Sequence, residues 1–135
     1  MAIELGSDSV DLGILVTDSE KALAFYRDLL GMVHEGDIPM PIGGGGTMHR
    51  LRCGQSLIKV IKLDNVPPEG SKGPLQAATG YRYLTIHCKN IAELIGECEA
   101  AGVKILVPVS ELRPGVTIAM VADPDGNVVE FVNYS

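Results

Sequence analysis

The sequence predicts an α+β fold made of two tandem copies of one strand-helix-strands unit, which together line a pocket for a small molecule. Three observations carry this: a period-two apolar alternation that appears twice, a capped helical stripe that follows it each time, and a constant offset of 72 residues between them (Asp11 to Tyr83, Asp18 to Asn90). At 135 residues the chain fits one domain, with a first module over about 8-64, a linker over about 65-78 and a second module over about 79-135.

The first strand is expected over Val10 to Thr17, where Val10, Leu12, Ile14 and Val16 share one face. Asp18 stands as an N-cap before the stripe Ala22, Phe25, Tyr26, Leu29, Leu30, and Gly31 stops that helix. In the second copy Tyr81 to Lys89 alternates. There Asn90 and Glu93 have capping-box spacing, and Ile91, Leu94, Ile95, Cys98 and Ala101 form the stripe that ends at Gly102. Further strands are expected over Thr47 to Cys53, Leu57 to Leu63, Lys104 to Val109 and, broken by a turn, Thr117 to Val132, so that each copy reads βαβββ. The turn is Asp123-Pro-Asp-Gly-Asn127, in which proline sets φ and Gly126 admits a positive one.

Asn65 to Pro74 has the Pro/Gly content and lack of period of a linker or covering loop. Gly43 to Gly46 reads as a hairpin loop or a mobile lid; no GK[ST] follows it, which argues against a phosphate cradle.

Composition narrows the partners. A net charge of −6 without a local Lys/Arg cluster opposes binding to nucleic acid. No run approaches a membrane span, and the first residues lack a signal-peptide pattern, so a soluble cytoplasmic protein is expected. Cys53, Cys88 and Cys98 are an odd number without CxxC spacing and read as buried free thiols. An aromatic fraction of 4% without Trp favours small aliphatic or polar ligands over flat aromatic ones.

The βαβββ-βαβββ order, the Asp-x-x-x-Ala-x-x-Phe-Tyr-x-x-x-Leu-Gly run at Asp18 to Gly31, and Asp123-Pro-Asp-Gly-Asn ahead of Glu130 resemble the vicinal oxygen chelate superfamily. That superfamily includes glyoxalase I, epimerases, extradiol dioxygenases and bleomycin-binding resistance proteins. The resemblance implies a glyoxalase-like cupped sheet in each copy, a cavity at or beside a homodimer interface, and a divalent metal held on the first and last strand of each copy. Carried over residue by residue, the four metal positions fall on Asp11, Lys59, Tyr83 and Glu130.

Those four do not form a family-type metal site. A lysine ammonium has no lone pair, and a phenol is a poor ligand for divalent ions at neutral pH. The expectation is therefore no metal and no cofactor, with Lys59 supplying the positive charge between Asp11 and Glu130. His87, four residues beyond Tyr83, lies about 13 Å along its strand, and His34, just past the first helix, is too remote to ligate there.

Hairpin register decides which of His49 and Arg50 faces the pocket. A two-residue turn at Gly54-Gln55 places Arg50 opposite Lys59 and turns His49 away, while a three-residue turn reverses this. The same pairing through the second turn puts Met120 opposite Glu130, with Ile118 and Ala122 beside it, so one wall is cationic and the other apolar. Met40, Met48 and Met120 read as gap-filling apolar side chains.

The functional expectation is a metal-independent lyase, isomerase or epimerase acting on a small anionic carbonyl compound or hydroxy acid. Glu130 and Asp11 are its acid/base candidates and Tyr83 and Lys59 its donors. Arg50, with His49, His87, Met120 and Ile118, would contact substrate. The alternative is a binding protein that sequesters a small toxin or antibiotic, and the third reading is a metal-dependent glyoxalase-like enzyme. Against all three stands a plain structural reading, in which the charged quartet is a buried ion-pair network.

Overall fold

A computed structural model describes residues 2–70 and 73–135. It divides into two compact units, Met1–Pro67 and Pro68–Ser135, with the boundary inside the expected linker. Each has the α+β order read from the sequence.

The first unit runs β1 (Leu12–Leu15), α1 (Ser19–Leu23), β2 (Val33–Pro39), β3 (Gly46–Cys53) and β4 (Ser56–Leu63). Its mixed sheet has the order β1-β4-β3-β2, with β1 parallel to β4 and the other pairs antiparallel. The second unit repeats this with β5 (Tyr83–His87), α2 (Ile91–Ala100), β6 (Ile105–Arg113), β7 (Val116–Ala122) and β8 (Val128–Tyr134), in the order β5-β8-β7-β6. A short 3-10 turn, Leu75–Ala77, precedes β5. Among the described residues, no helix is long and apolar enough to cross a membrane.

Asp18 caps α1 as expected, its carboxylate accepting from the Lys21 amide at 3.1 Å. The helix then continues as a π-helical stretch, Ala24–Leu29, closed by the Leu30 amide on the Phe25 carbonyl at 2.9 Å. Within this wider winding both Phe25 and Tyr26 are buried, packed edge to face with ring centroids 4.7 Å apart. The stop at Gly31 has the expected positive φ of 81°, which glycine adopts without a Cβ penalty.

Three sequence expectations are corrected. A strand not assigned from sequence, β2, follows the first helix and forms the sheet edge. Asn90 precedes α2 but makes no side-chain cap; its side-chain oxygen Oδ1 instead accepts from the Cys88 thiol at 3.1 Å. All three cysteines are free, yet only Cys98 is buried, Cys53 and Cys88 being half-buried.

Each sheet buries one face under its own helix. In the first unit this face carries Leu51, Ile58 and Val60, and in the second Ala119, Val121, Val129 and Phe131. Alternation then turns Asp11, Arg50 and Lys59 to the inner face of one sheet, and Tyr83, Met120 and Glu130 to the inner face of the other.

Candidate functional site

The register of the inner faces follows from two turns. Cys53 pairs with Ser56 across the two-residue turn Gly54-Gln55, with φ of 58° at Gly54, and this fixes Arg50 opposite Lys59. The second turn is held by Asp123, which is buried. Its Oδ1 accepts from the amides of Asp125 at 2.9 Å and Asn127 at 2.8 Å, and its Oδ2 accepts from the Asn127 side chain at 2.9 Å. Ala122 therefore pairs with Val128 and Met120 with Glu130.

On the inner face of the first unit, Asp11 is committed to backbone. Its Oδ1 accepts from the Leu57 amide at 2.8 Å, satisfying the N–H just ahead of the Leu12–Ile58 ladder pair. Among the described residues of this unit, no carboxylate stands within ion-pair distance of Lys59.

The acidic partner on this face is Glu35, which the sequence reading did not single out. Arg52 grips it with two nitrogens, Nε to Oε2 at 3.1 Å and Nη2 to Oε1 at 3.0 Å, while Arg50 Nη2 lies 3.9 Å from Oε1. The Arg52 hydrogen bonds hold the Glu35 carboxyl below its usual pKa.

His49 lies on the opposite face. The two-residue turn directs it under the helix, where it is 7% exposed, with Nε2 2.9 Å from the Ser19 hydroxyl and Nδ1 2.8 Å from Asp37 Oδ1. It therefore shares no inner-face position with Arg50, which corrects the expectation that both contact substrate.

On the inner face of the second unit, Glu130 is half-buried and accepts a 2.7 Å hydrogen bond from the Thr85 hydroxyl on the neighbouring strand. Tyr83 is 52% exposed at the start of β5. His87 lies at the other end of that strand, its ring 5.7 Å from the Tyr134 ring. Ile118 is packed with Val116, Val132 and Val107.

A cavity of about 620 Å³ opens beside this face, floored by Met120, Ala122 and Val128, walled by Leu106 and Val107, and edged by the Gly73–Gln76 segment. Lys104 and Gln76 add polar ends to an otherwise apolar lining. Met120 belongs to this lining, whereas Glu130 is its cross-strand neighbour. The residues missed by sequence reasoning here, Lys104, Leu106 and Gln76, come from an irregular bulged strand and the linker, where no period marks a face.

The family metal positions do not fit a divalent ion in this chain. Lys59 and Tyr83 offer no suitable lone pair at neutral pH, and the Asp11 carboxylate is engaged by a backbone amide.

Two βαβββ units of this topology, each with a helix on one face of a four-stranded mixed sheet, define the duplicated glyoxalase-type fold. Residues 9–131 match the family described as the Glyoxalase/Bleomycin resistance protein/Dioxygenase superfamily, and the chain belongs to it.

Solved structures agree. A glyoxalase family protein from Bacillus cereus is 15% identical and superposes with a TM-score of 0.82, covering 98% of this chain and 96% of its own. The trypanothione-dependent glyoxalase I of Leishmania major is 23% identical with a TM-score of 0.72, covering 91% of this chain and 84% of its own. TnmS3, an antibiotic binding protein from Streptomyces sp. CB03234, is 22% identical with a TM-score of 0.70, covering 98% and 100%. At these identities the likeness is one of fold. No individual curated protein matches the sequence.

Proposed function

We propose that this protein binds a small, mainly apolar molecule carrying one polar or anionic group, held in the cavity of the second unit. The observation that carries this reading is the cavity itself. Its volume of about 620 Å³ lies in the range of small-molecule sites, and its lining is apolar apart from Lys104 and Gln76 at the margins. An apolar body would rest on Met120, Val107 and Val128, while the Lys104 ammonium would meet a carboxylate or phenolate at the edge. TnmS3, an antibiotic binding protein of the same fold, supports this class of function.

A second reading, metal-independent acid-base catalysis of the lyase, isomerase or epimerase type, rests on Glu130. Thr85 orients its carboxylate at 2.7 Å, and its cross-strand neighbour Met120 lines the cavity, so a bound molecule would lie within one residue pair of a positioned proton acceptor. A homodimer, as the family resemblance implies, is tested by native mass spectrometry.

The deciding experiment is a thermal-shift screen with small antibiotics and with keto and hydroxy acids, run on the unaltered chain and on Met120→Trp and Glu130→Gln. A ligand present at 100 times its Kd stabilises the fold by about 2.7 kcal/mol, enough for a clear shift. Binding abolished by Met120→Trp supports the cavity, and turnover of a bound acid lost in Glu130→Gln supports the catalytic reading. Tight ligands whose shift is unchanged by Met120→Trp would refute the cavity as the binding site.

A further inference from the structure

We infer that the helix-covered face of the first unit carries a binding site for a borderline divalent transition ion of the Zn²⁺ type, formed by His34, Asp37 and His49. This site is separate from the inner-face positions discussed above. His34 Nε2 lies 2.6 Å and His49 Nδ1 2.8 Å from the same Asp37 Oδ1, and the three donor atoms all lie within 4.8 Å of one another.

The sheet register explains why these residues meet. His34 and Asp37 are three apart, so simple alternation would put them on opposite faces. A register shift between His34 and Gly36, with φ of 145° at Gly36, restores the phase: His34 pairs with Leu51 and Asp37 with His49, all on the helix-covered face. The same irregularity leaves Glu35 on the inner face beside Arg52. A bulge thus collects two imidazoles and a carboxylate, the donor types that suit Zn²⁺ and its neighbours.

The surroundings supply an orienting contact. Ser19 Oγ, 2.9 Å from His49 Nε2, can accept the Nε2–H and so free the Nδ1 lone pair for an ion held beside Asp37, as outer hydrogen-bond partners do around metal-bound histidines. Asp37 has a side chain 47% exposed and His34 one 23% exposed, which leaves a path for the ion and an open position for water. In a tetrahedral Zn²⁺ site neighbouring donors stand about 3.4 Å apart, so Asp37, the most exposed of the three, moves outward while the two imidazole nitrogens adjust from within 4.8 Å to that spacing.

One group opposes the ion. Arg27 Nη1 lies 3.3 Å from His34 Nδ1, which accepts its hydrogen bond and thereby keeps the ring proton on Nε2, the metal-facing atom. Metal binding requires the opposite tautomer, so Arg27 must turn away. It can, because its side chain is 39% exposed and already paired with Asp28 at 2.8 Å. Arg27 therefore weakens the site and gives it a distinctive test.

The experiment is calorimetric titration of the chelator-treated full chain with Zn²⁺, paired with the visible spectrum of the Co²⁺ form. One ion per chain is expected to bind, with a tetrahedral Co²⁺ band. His34→Gln and Asp37→Asn, both solvent-reached and checked for folding by circular dichroism, are expected to weaken binding at least 100-fold. Ser19→Ala is expected to weaken it by about 10-fold or more. Arg27→Ala is expected to tighten it. Failure to bind Zn²⁺ below millimolar concentration, or equal binding by the chain and by both ligand variants, would overturn the assignment and leave a carboxylate-bridged histidine pair.

Discussion

Replacing Asp123 by Ala tests how the turn between β7 and β8 sets the inner face. The carboxylate accepts three hydrogen bonds, from the Asp125 and Asn127 amides and the Asn127 side chain at 2.8 to 2.9 Å, and the residue is 5% exposed. Hydrogen bonds to a charged acceptor contribute about 1.5–3 kcal/mol each. Pro124, Gly126 and Asn127 are exposed, so water recovers part of this for the freed donors. The net loss expected for Asp123→Ala is about 2–4 kcal/mol. Asp123→Asn keeps one oxygen for the two backbone amides but faces the Asn127 amide with a second donor, so about half that loss is expected. Urea unfolding followed by circular dichroism measures both, with the slope unchanged if only the native turn is affected. A loss below about 0.5 kcal/mol for Asp123→Ala, the range of an ordinary surface substitution, would refute the claim that this side chain holds the Met120–Glu130 register.

Gly46 has φ of 151°, and a Cβ there would collide with the Lys62 carbonyl oxygen and stand 2.8 Å from Leu63 Cα; Gly46→Ala is expected to cost about 1–3 kcal/mol, read as a fall in the urea midpoint. Glu35 has its pKa lowered chiefly by the Arg52 hydrogen bond, so its stabilising effect is fully present above the unfolded carboxyl value and is lost as pH falls through the lower folded value. Glu35→Gln is therefore expected to lower stability above about pH 4.3, where the effect is present, and to flatten the decline below it. An acid limb identical to that of the unaltered chain would contradict this.

Much of the scaffold was legible because its signals are local. Alternation at Leu12 to Val16 and Tyr83 to His87, the Asp18 cap and the Gly31 stop each depend on a few adjacent residues, and all four appear in the fold. The two-residue turn likewise settles Arg50 against Lys59 through simple counting. β2 was missed because its alternation is interrupted at Glu35-Gly36, and a bulge adds one residue that no period-two pattern can hold. Asn90 looked like a cap, but the Cys88 thiol occupies its side-chain oxygen.

The sequence by itself determined the duplication, the order of elements, and which residues share a face within each strand, since backbone alternation and turn chemistry act over a few positions. Only the tertiary structure decided what those residues meet. Asp11 turns to the Leu57 amide, Glu35 to Arg52, and Asp37, already beside His34, to His49 from an edge strand whose phase is reset by a bulge. Partners 12 to 46 residues apart are chosen by strand pairing and side-chain packing, which have no counterpart in the spacing of neighbours along the chain.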